Sequence, residues 1–163
     1  MQILAVSCVN TAFWLALHFG TAFFFTSLPD KVQARIFTPS LLLYREKPRE
    51  AAFYRAIGLP RWKDSLPQYN KDFDKRCLNS KLTLEYLNAF IVNTCKAELI
   101  HLSIAVLGFL SLFSCFFFDH PAKELPLFIA IAAVIGLAQL PFIMIQRYNR
   151  PRLKRLAKRL EQP

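Results

Sequence analysis

Charge is absent from three long stretches of this 163-residue chain. Residues 3–28, 99–118 and 125–146 contain no Lys, Arg, Asp or Glu, although charged residues make up 20% of the whole. Crossing a hydrocarbon core of roughly 30 Å takes about 20 apolar residues in a helix, and each stretch supplies that length. The sequence therefore predicts an all-α fold, a small polytopic integral membrane protein with about three transmembrane helices and a single domain over residues 1–163.

Two other features are missing. No positively charged n-region precedes the first stretch, which is also long for a signal peptide, so we expect a retained helix. No CxxC pair or zinc-type spacing occurs among the cysteines, which predicts reduced thiols and no disulfide. The four cysteines are Cys8, Cys77, Cys95 and Cys115.

The basic residues are distributed unevenly along the chain. Residues 31–96 hold thirteen of the 21 Lys and Arg residues, and the tail after residue 146 holds seven. The remaining one, Lys123, lies in the short loop 119–124. The positive-inside rule predicts that residues 31–98 and the basic tail 147–163 are cytoplasmic. The net charge of +10 then indicates contact with an anionic membrane surface. No aromatic-interleaved basic motif of a nucleic-acid-binding module occurs, so we expect no nucleic acid partner.

Helical periodicity continues outside the three stretches. One long helix is predicted over residues 83–118, because apolar residues recur at helical spacing before the second stretch begins. These residues are Leu84, Leu87, Phe90 and Ile91. A short helix is predicted over residues 46–57, ended by Gly58 and Pro60.

The third stretch and the tail carry a different pattern. Pro141 lacks a backbone N–H, which predicts a kink near residue 137. The tail is predicted to form a basic amphipathic helix lying along the inner leaflet. Its apolar stripe consists of Leu153, Leu156, Ala157 and Leu160.

Two polar clusters lie at the ends of apolar stretches. Residues 96–101, Lys-Ala-Glu-Leu-Ile-His, place Glu98 and His101 on one helical face at a membrane–water boundary. Ionisable groups at that depth are costly and usually have a functional or pairing reason. Residues 146–152 end the third stretch at the same level. We expect the two clusters to meet and to form a site.

These clusters resemble runs found in the glycosyl-4,4'-diaponeurosporenoate acyltransferases, membrane enzymes that complete the carotenoid staphyloxanthin in staphylococci. Members carry an Arg-Ala-Glu-Leu-Ile-His-Trp-like run, which residues 96–101 match, and Gln-Arg-Tyr-Asn-Arg-Pro-Arg-Leu, which residues 146–153 match. A weaker match is Trp62-Lys63, with Leu-Pro behind it. Two departures are Lys96 in place of Arg and Leu102 in place of Trp.

The resemblance implies an acyltransferase that moves a fatty acyl group from a thioester donor to a hydroxyl of a membrane lipid or carotenoid-glycoside-like acceptor. The donor is acyl-CoA or a similar cytoplasmic thioester, and no permanently bound cofactor is implied. The active site is then at the cytoplasmic face of a bacterial plasma membrane. Two alternatives are a membrane methyltransferase of a lipid-like substrate and a non-enzymatic lipid-binding subunit.

Chemistry assigns roles to the first cluster. His101 is the predicted general base, because the ordinary pKa of imidazole is near neutrality. Glu98, one turn earlier, is predicted to orient it, as the acid does in hydrolase triads. The structural alternative is a polar residue at a helix end. No metal is predicted, because the di-iron Glu-x-x-His motif needs a second copy, which neither His18 nor His120 provides.

The second cluster suits phosphate binding, because guanidinium groups donate in forked pairs to phosphate oxygens. The alternative is a topology anchor on anionic headgroups. The predicted donor-binding residues are Arg147, Tyr148, Asn149, Arg150 and Arg152. Asn149 is predicted either to donate to an oxyanion or to cap a helix that begins near Pro151.

Three further residues are predicted to line the substrate: Trp62, Lys63 and His18. His18 lies about ten residues inside its stretch, roughly 15 Å deep at 1.5 Å per residue. His101 lies only about one turn inside. The two imidazoles are therefore not expected to be partners.

Overall fold

The computed structural model describes residues 2–67, 73 and 82–162, and all regular structure within them is helical. The α-helices are α1 (Gln2–Thr26), α2 (Asp30–Ile36), α3 (Glu50–Ala56), α4 (Leu59–Trp62), α5 (Leu84–Leu107), α6 (Pro121–Ala138) and α7 (Leu140–Glu161). Short 3-10 turns occupy Leu42–Tyr44 and Lys63–Ser65, and a ten-residue 3-10 helix occupies Gly108–Phe117. The predicted all-α class is confirmed.

Three helical runs among the described residues are long and apolar enough to cross a membrane. They are Ile3–Thr26, Leu84–Phe117 and Pro121–Glu161. Each covers all or nearly all of one uncharged stretch, so the chain is a membrane protein with three candidate spans. Cys8 is exposed, Cys95 and Cys115 are buried, and Cys77 lies outside the described residues.

The chain divides into two compact units. The first unit comprises Met1–Leu28 and Leu99–Leu140, and the second comprises Pro29–Glu98 and Pro141–Pro163. This division does not test the predicted single domain over residues 1–163, which stays a prediction.

The core of the first unit forms where α1 approaches the helical run that follows residue 99. Trp14 packs with Ile104 and Ala132, and its ring lies over Gly108. A Cβ atom on Gly108 would stand 2.2 Å from Trp14 Cη2, so a larger residue there would force the Trp14 ring to shift. Gly108 is also the residue at which α geometry gives way to the 3-10 helix. The helix predicted over residues 83–118 is therefore one helical run with two geometries.

The core of the second unit buries part of the apolar stripe of α7, whereas Leu160 is exposed. Leu153 and Ala157 are buried against three α5 residues that recur at helical spacing. These residues are Leu87, Phe90 and Ile91. The prediction that the stripe faces the inner leaflet is wrong at Leu153 and Ala157, because α5 extends far enough before residue 99 to cover them.

Proline has two different effects on the third run. Near Pro141 the helix breaks, since α6 ends at Ala138 and α7 begins at Leu140. The missing N–H of Pro141 withdraws the donor that the carbonyl of residue 137 needs. The predicted kink near residue 137 is found as a one-residue break in the helix at Gln139. At Pro151 the helix continues. Asn149 therefore lies inside α7, and the prediction that it caps a new helix is wrong.

The start of the short middle helix also differs from prediction. α3 begins at Glu50 rather than at residue 46. The residue before it, Arg49, adopts a left-handed backbone conformation with φ 68°. That conformation is incompatible with a continuing right-handed helix. At the other end Gly58, also with φ 68°, ends the segment as predicted.

We predict that Gly108→Ala lowers the stability of the protein by about 1–3 kcal/mol, because the new methyl group overpacks the buried Trp14 ring. Gly20→Ala is the matched control, since no atom lies within 4 Å of a Cβ at that position. The measurement is the thermal unfolding midpoint in detergent. Equal midpoints for the two variants would contradict the close approach of Trp14 to Gly108.

Candidate active site

Within the second unit, the two polar clusters meet at the carboxylate of Glu98. Arg147 Nη1 donates to Glu98 Oε1 at 2.6 Å, and Arg150 Nη2 donates to Glu98 Oε2. The two arginines lie three residues apart on α7, so both side chains reach the same face of α5. Glu98 and Arg150 are each only 2% exposed. The predicted meeting of Glu98 with the 146–152 cluster is confirmed.

Arg147 extends this network to the first residue of α3 and to the segment before it. Its Nε and Nη2 atoms donate to the two carboxylate oxygens of Glu50. Nη1 and Nη2 also donate to the backbone carbonyls of Leu43 and Arg45, each at 2.9 Å. One guanidinium thus holds two carboxylates and two carbonyls, which fixes the start of α3 against α7.

The charge of Glu50 is stabilised strongly. Burial alone raises the pKa of its carboxyl, yet hydrogen bonds outweigh burial and lower the pKa to about 2. The donors are Arg147, the backbone N–H of Lys47 and the Tyr54 hydroxyl. Glu50 is therefore ionised in the folded protein at neutral pH.

Arg150 is held entirely by the protein. Nε donates to Thr94 Oγ1 at 2.9 Å, and Nη2 donates to the Thr94 carbonyl at 3.2 Å. Nη1 donates to the Tyr44 carbonyl at 3.2 Å, and the guanidinium lies 5.0 Å from the centre of the Tyr44 ring. The chain itself thus supplies partners for every guanidinium nitrogen of Arg150.

A cavity of about 330 Å³ adjoins the network in the second unit. Arg147, Tyr148 and Arg152, three of the predicted donor-binding residues, line it from α7. The guanidinium of Arg152 lies 5.1 Å from the centre of the Tyr148 ring, and its Nη1 donates to the Tyr148 hydroxyl. The other walls come from α3 and the turn before it. This cavity suits anionic ligands, because basic side chains outnumber carboxylates in its lining.

Trp62 and Lys63, predicted to line the substrate, contact other residues of the second unit. Trp62 Nε1 donates to the Ile57 carbonyl at 3.1 Å, and the indole packs beside the core formed by Tyr54, Leu59 and Ile145. Lys63 Nζ pairs with the carboxylate of its neighbour at 2.6 Å. The substrate-lining role of both residues stays a prediction.

In the first unit, a chain of hydrogen bonds joins two imidazoles through an amide. His101 Nδ1 lies 2.8 Å from Gln139 Oε1, and Gln139 Nε2 lies 3.5 Å from His18 Nε2. His18 Nδ1 lies 2.8 Å from the Trp14 carbonyl. Gln139 Nε2 also donates to the Ile135 carbonyl at 3.2 Å.

These contacts define the tautomers of both neutral rings. Because carbonyl and amide oxygens only accept, Nδ1 carries the hydrogen in His18 and in His101. The lone pair of each neutral ring is then on Nε2. His18 Nε2 accepts from the Gln139 amide, and His101 Nε2 is the basic atom of the second ring.

The prediction that His18 and His101 are not partners is wrong, since Gln139 joins them. The depth predicted for His101 in the apolar region was too shallow. Gln139 precedes residue 146 by seven positions, roughly 10 Å along a helix at 1.5 Å per residue. Its contact with His101 places that imidazole deeper in the apolar region than one turn.

Gln139 is one of the site residues that sequence reasoning missed. It lies in the interior of the third uncharged stretch, in an otherwise apolar neighbourhood, and it is 5% exposed. A polar side chain in the interior of a membrane span usually pairs with another polar group. That signal was available in the sequence. The orienting contact predicted for Glu98 is made at His101 Nδ1 by Gln139, while both carboxylate oxygens of Glu98 bind guanidinium groups.

A family match and a similar curated protein both indicate the same family for this chain. Residues 33–159 match the family described as glycosyl-4,4'-diaponeurosporenoate acyltransferase. A curated protein with that name from Staphylococcus haemolyticus (strain JCSC1435) is 30% identical over 157 residues, which cover 94% of this chain and 85% of the relative. No solved structure matches.

We predict that Glu98→Gln destabilises the protein by about 3–5 kcal/mol, because it leaves the buried Arg150 charge without its carboxylate. Glu161→Gln, at the exposed end of α7, is the matched control. Arg150→Met added to Glu98→Gln should recover part of the loss, since the unpaired charge is then gone. Denaturant unfolding in detergent measures all three variants, and equal effects at Glu98 and Glu161 would contradict the role of the network.

Proposed function

The chain belongs to the glycosyl-4,4'-diaponeurosporenoate acyltransferase family, and from that membership we propose that it moves a fatty acyl group from a thioester to a hydroxyl of a membrane-embedded glycolipid. The acceptor is similar to a carotenoid glycoside. The observation that carries the chemical assignment is the hydrogen-bonded chain His18–Gln139–His101. It orients a basic nitrogen in the membrane-spanning part of the protein, where a lipid acceptor can be dissolved.

The acyl group passes directly from donor to acceptor by addition and elimination, with His101 as general base. His101 Nε2 removes the proton of the acceptor hydroxyl while the hydroxyl oxygen bonds to the thioester carbonyl carbon. The tetrahedral intermediate then re-forms the carbonyl, and its carbon–sulfur bond breaks. The imidazolium returns the proton to the departing thiolate. The products are an ester and a free thiol.

Gln139 and His18 act as positioning residues. The amide oxygen of Gln139 keeps the hydrogen of His101 on Nδ1, and contacts with Ile135 and His18 hold that amide in one orientation. Wrong tautomers are costly in this chemistry, because the ring must present a lone pair to the hydroxyl. The hydrogen-bonded chain thus supplies the orienting part of the role that a buried carboxylate has in a hydrolase triad.

The thioester donor is bound from the cytoplasm, where the positive-inside rule places the second unit's segments. Arg147 and Arg152 line a basic cavity there and suit the anionic part of the donor. Arg150, held by Glu98 and Thr94, supports α7 instead. The membrane is a bacterial plasma membrane. Methyl transfer and non-enzymatic lipid binding are disfavoured by the family membership.

We predict that His101→Gln lowers kcat by on the order of 100- to 10,000-fold, because glutamine hydrogen-bonds but cannot accept the hydroxyl proton. The assay follows a labelled acyl group from acyl-CoA to glycolipid in membranes. His120→Gln is the matched control, since His120 is an exposed residue that precedes α6. Normal turnover by His101→Gln would remove this residue from the mechanism.

We also predict that added acyl-CoA supports transfer in sealed inverted membrane vesicles but not in sealed right-side-out vesicles. Acyl-CoA is too polar to cross the bilayer, so it reaches only the outer face of each vesicle. Detergent permeabilisation should make the two preparations equal. Transfer confined to right-side-out vesicles would reverse the proposed orientation.

A further inference from the structure

The lining of the cavity in the second unit contains more basic side chains than the neighbouring carboxylates can balance. Within the network, Arg147 and Arg150 are balanced by Glu50 and Glu98. In the part of the chain that the structure describes, the cavity wall holds five other basic side chains, all exposed, and one further carboxylate, that of Glu46. The five are Lys47, Arg49, Arg55, Arg152 and Arg155. Among the described residues, none of the five forms an ion pair.

These basic residues surround a concave space rather than forming a flat row. α3 and the turn before it contribute three of them, and α7 contributes two, with about 330 Å³ between. That volume lies at the lower end of the range of small-molecule sites, about 300–1,000 Å³. The size and the charge both suit a compact polyanion. A lipid headgroup with one phosphate would use only part of the five cations.

Arg49 adds an independent observation. Its backbone has φ 68°, a left-handed conformation that an arginine adopts only at a cost. Glycine would relieve that strain without any loss of backbone geometry. The side chain of Arg49 lines the cavity. Placing an arginine there destabilises the local backbone, and strain of this kind clusters at functional sites.

Resting on the proposed function, we propose that this cavity binds the nucleotide end of a coenzyme A thioester, with the phosphate groups on the five basic side chains named above. The guanidinium of Arg152, already stacked over Tyr148, offers its outer face to the adenine ring. The site then selects donors that carry the phosphorylated nucleotide over those that carry only the pantetheine arm. The thioester itself is not recognised by this cavity.

Direct binding is the first test. Adenosine 3',5'-bisphosphate is titrated into the purified full chain in nanodiscs of phosphatidylcholine, which supply no anionic headgroup. Arg49→Gly and Arg155→Gln should each raise the dissociation constant about tenfold or more, because each removes a charged contact to phosphate. Arg159→Gln, one turn beyond Arg155 on α7 and outside the cavity lining, should leave it unchanged. Arg49→Gly should do so without lowering the unfolding temperature.

Kinetics is the second test. The two cavity variants should raise KM for acyl-CoA about tenfold or more and leave KM for acyl-pantetheine unchanged, because acyl-pantetheine lacks the nucleotide. The kcat for acyl-pantetheine should also be unchanged. A merely structural role for these arginines would alter the kinetics of both donors equally.

Failure of this inference is distinguishable from failure of the proposed function. If the wild-type chain binds the bisphosphate but transfers no acyl group, the acyltransferase mechanism is wrong and the nucleotide cavity stands. If it transfers acyl groups but does not bind the bisphosphate, the cavity assignment is overturned. Weakened binding to phosphatidylglycerol vesicles in the Arg49 and Arg155 variants, with unchanged KM for acyl-CoA, would overturn it in favour of a headgroup site.

Discussion

Glu98 lies in the second unit, 2% exposed, with a guanidinium group at each of its carboxylate oxygens. A buried ion pair costs several kcal/mol per ion in lost hydration, and it persists only where further hydrogen bonds satisfy both partners. Thr94, Tyr44 and Glu50 supply those bonds here. The network joins α5, α7 and the start of α3, three segments far apart in sequence. The basic cavity exists because this network holds its two walls together.

The arginines of the second polar cluster thus divide into two groups with different tasks. Arg150 is fully occupied by the chain, and Arg147 is balanced by two carboxylates. Arg152 stays exposed and stacks on an aromatic ring. A basic motif of this kind cannot be read as a uniform ligand-binding surface, because buried carboxylates elsewhere in the chain decide which charges are left for a ligand.

The candidate spans and the contact between the two clusters could be predicted from the sequence. Both depend on where charged residues are absent and where they occur again along the chain. It was insufficient for pairings set by tertiary packing. Glu50 lies 97 positions before its partner Arg147, and no local pattern indicates that contact. The left-handed backbone of Arg49 is similarly invisible, since local preference favours other residues there. Gln139 could have been found, as a polar residue in the interior of a membrane span.

The ten-residue 3-10 helix Gly108–Phe117 has a consequence for membrane thickness. A 3-10 helix rises about 2.0 Å per residue against 1.5 Å for an α-helix, so these ten residues extend roughly 20 Å instead of roughly 15 Å. With three residues per turn, Gly108, Ser111 and Ser114 fall in one column, and all three are buried. The span therefore gains reach without added residues and keeps its small side chains inward. A thinner bilayer would leave this stretched segment too long and favour tilt of the span or a return to α geometry.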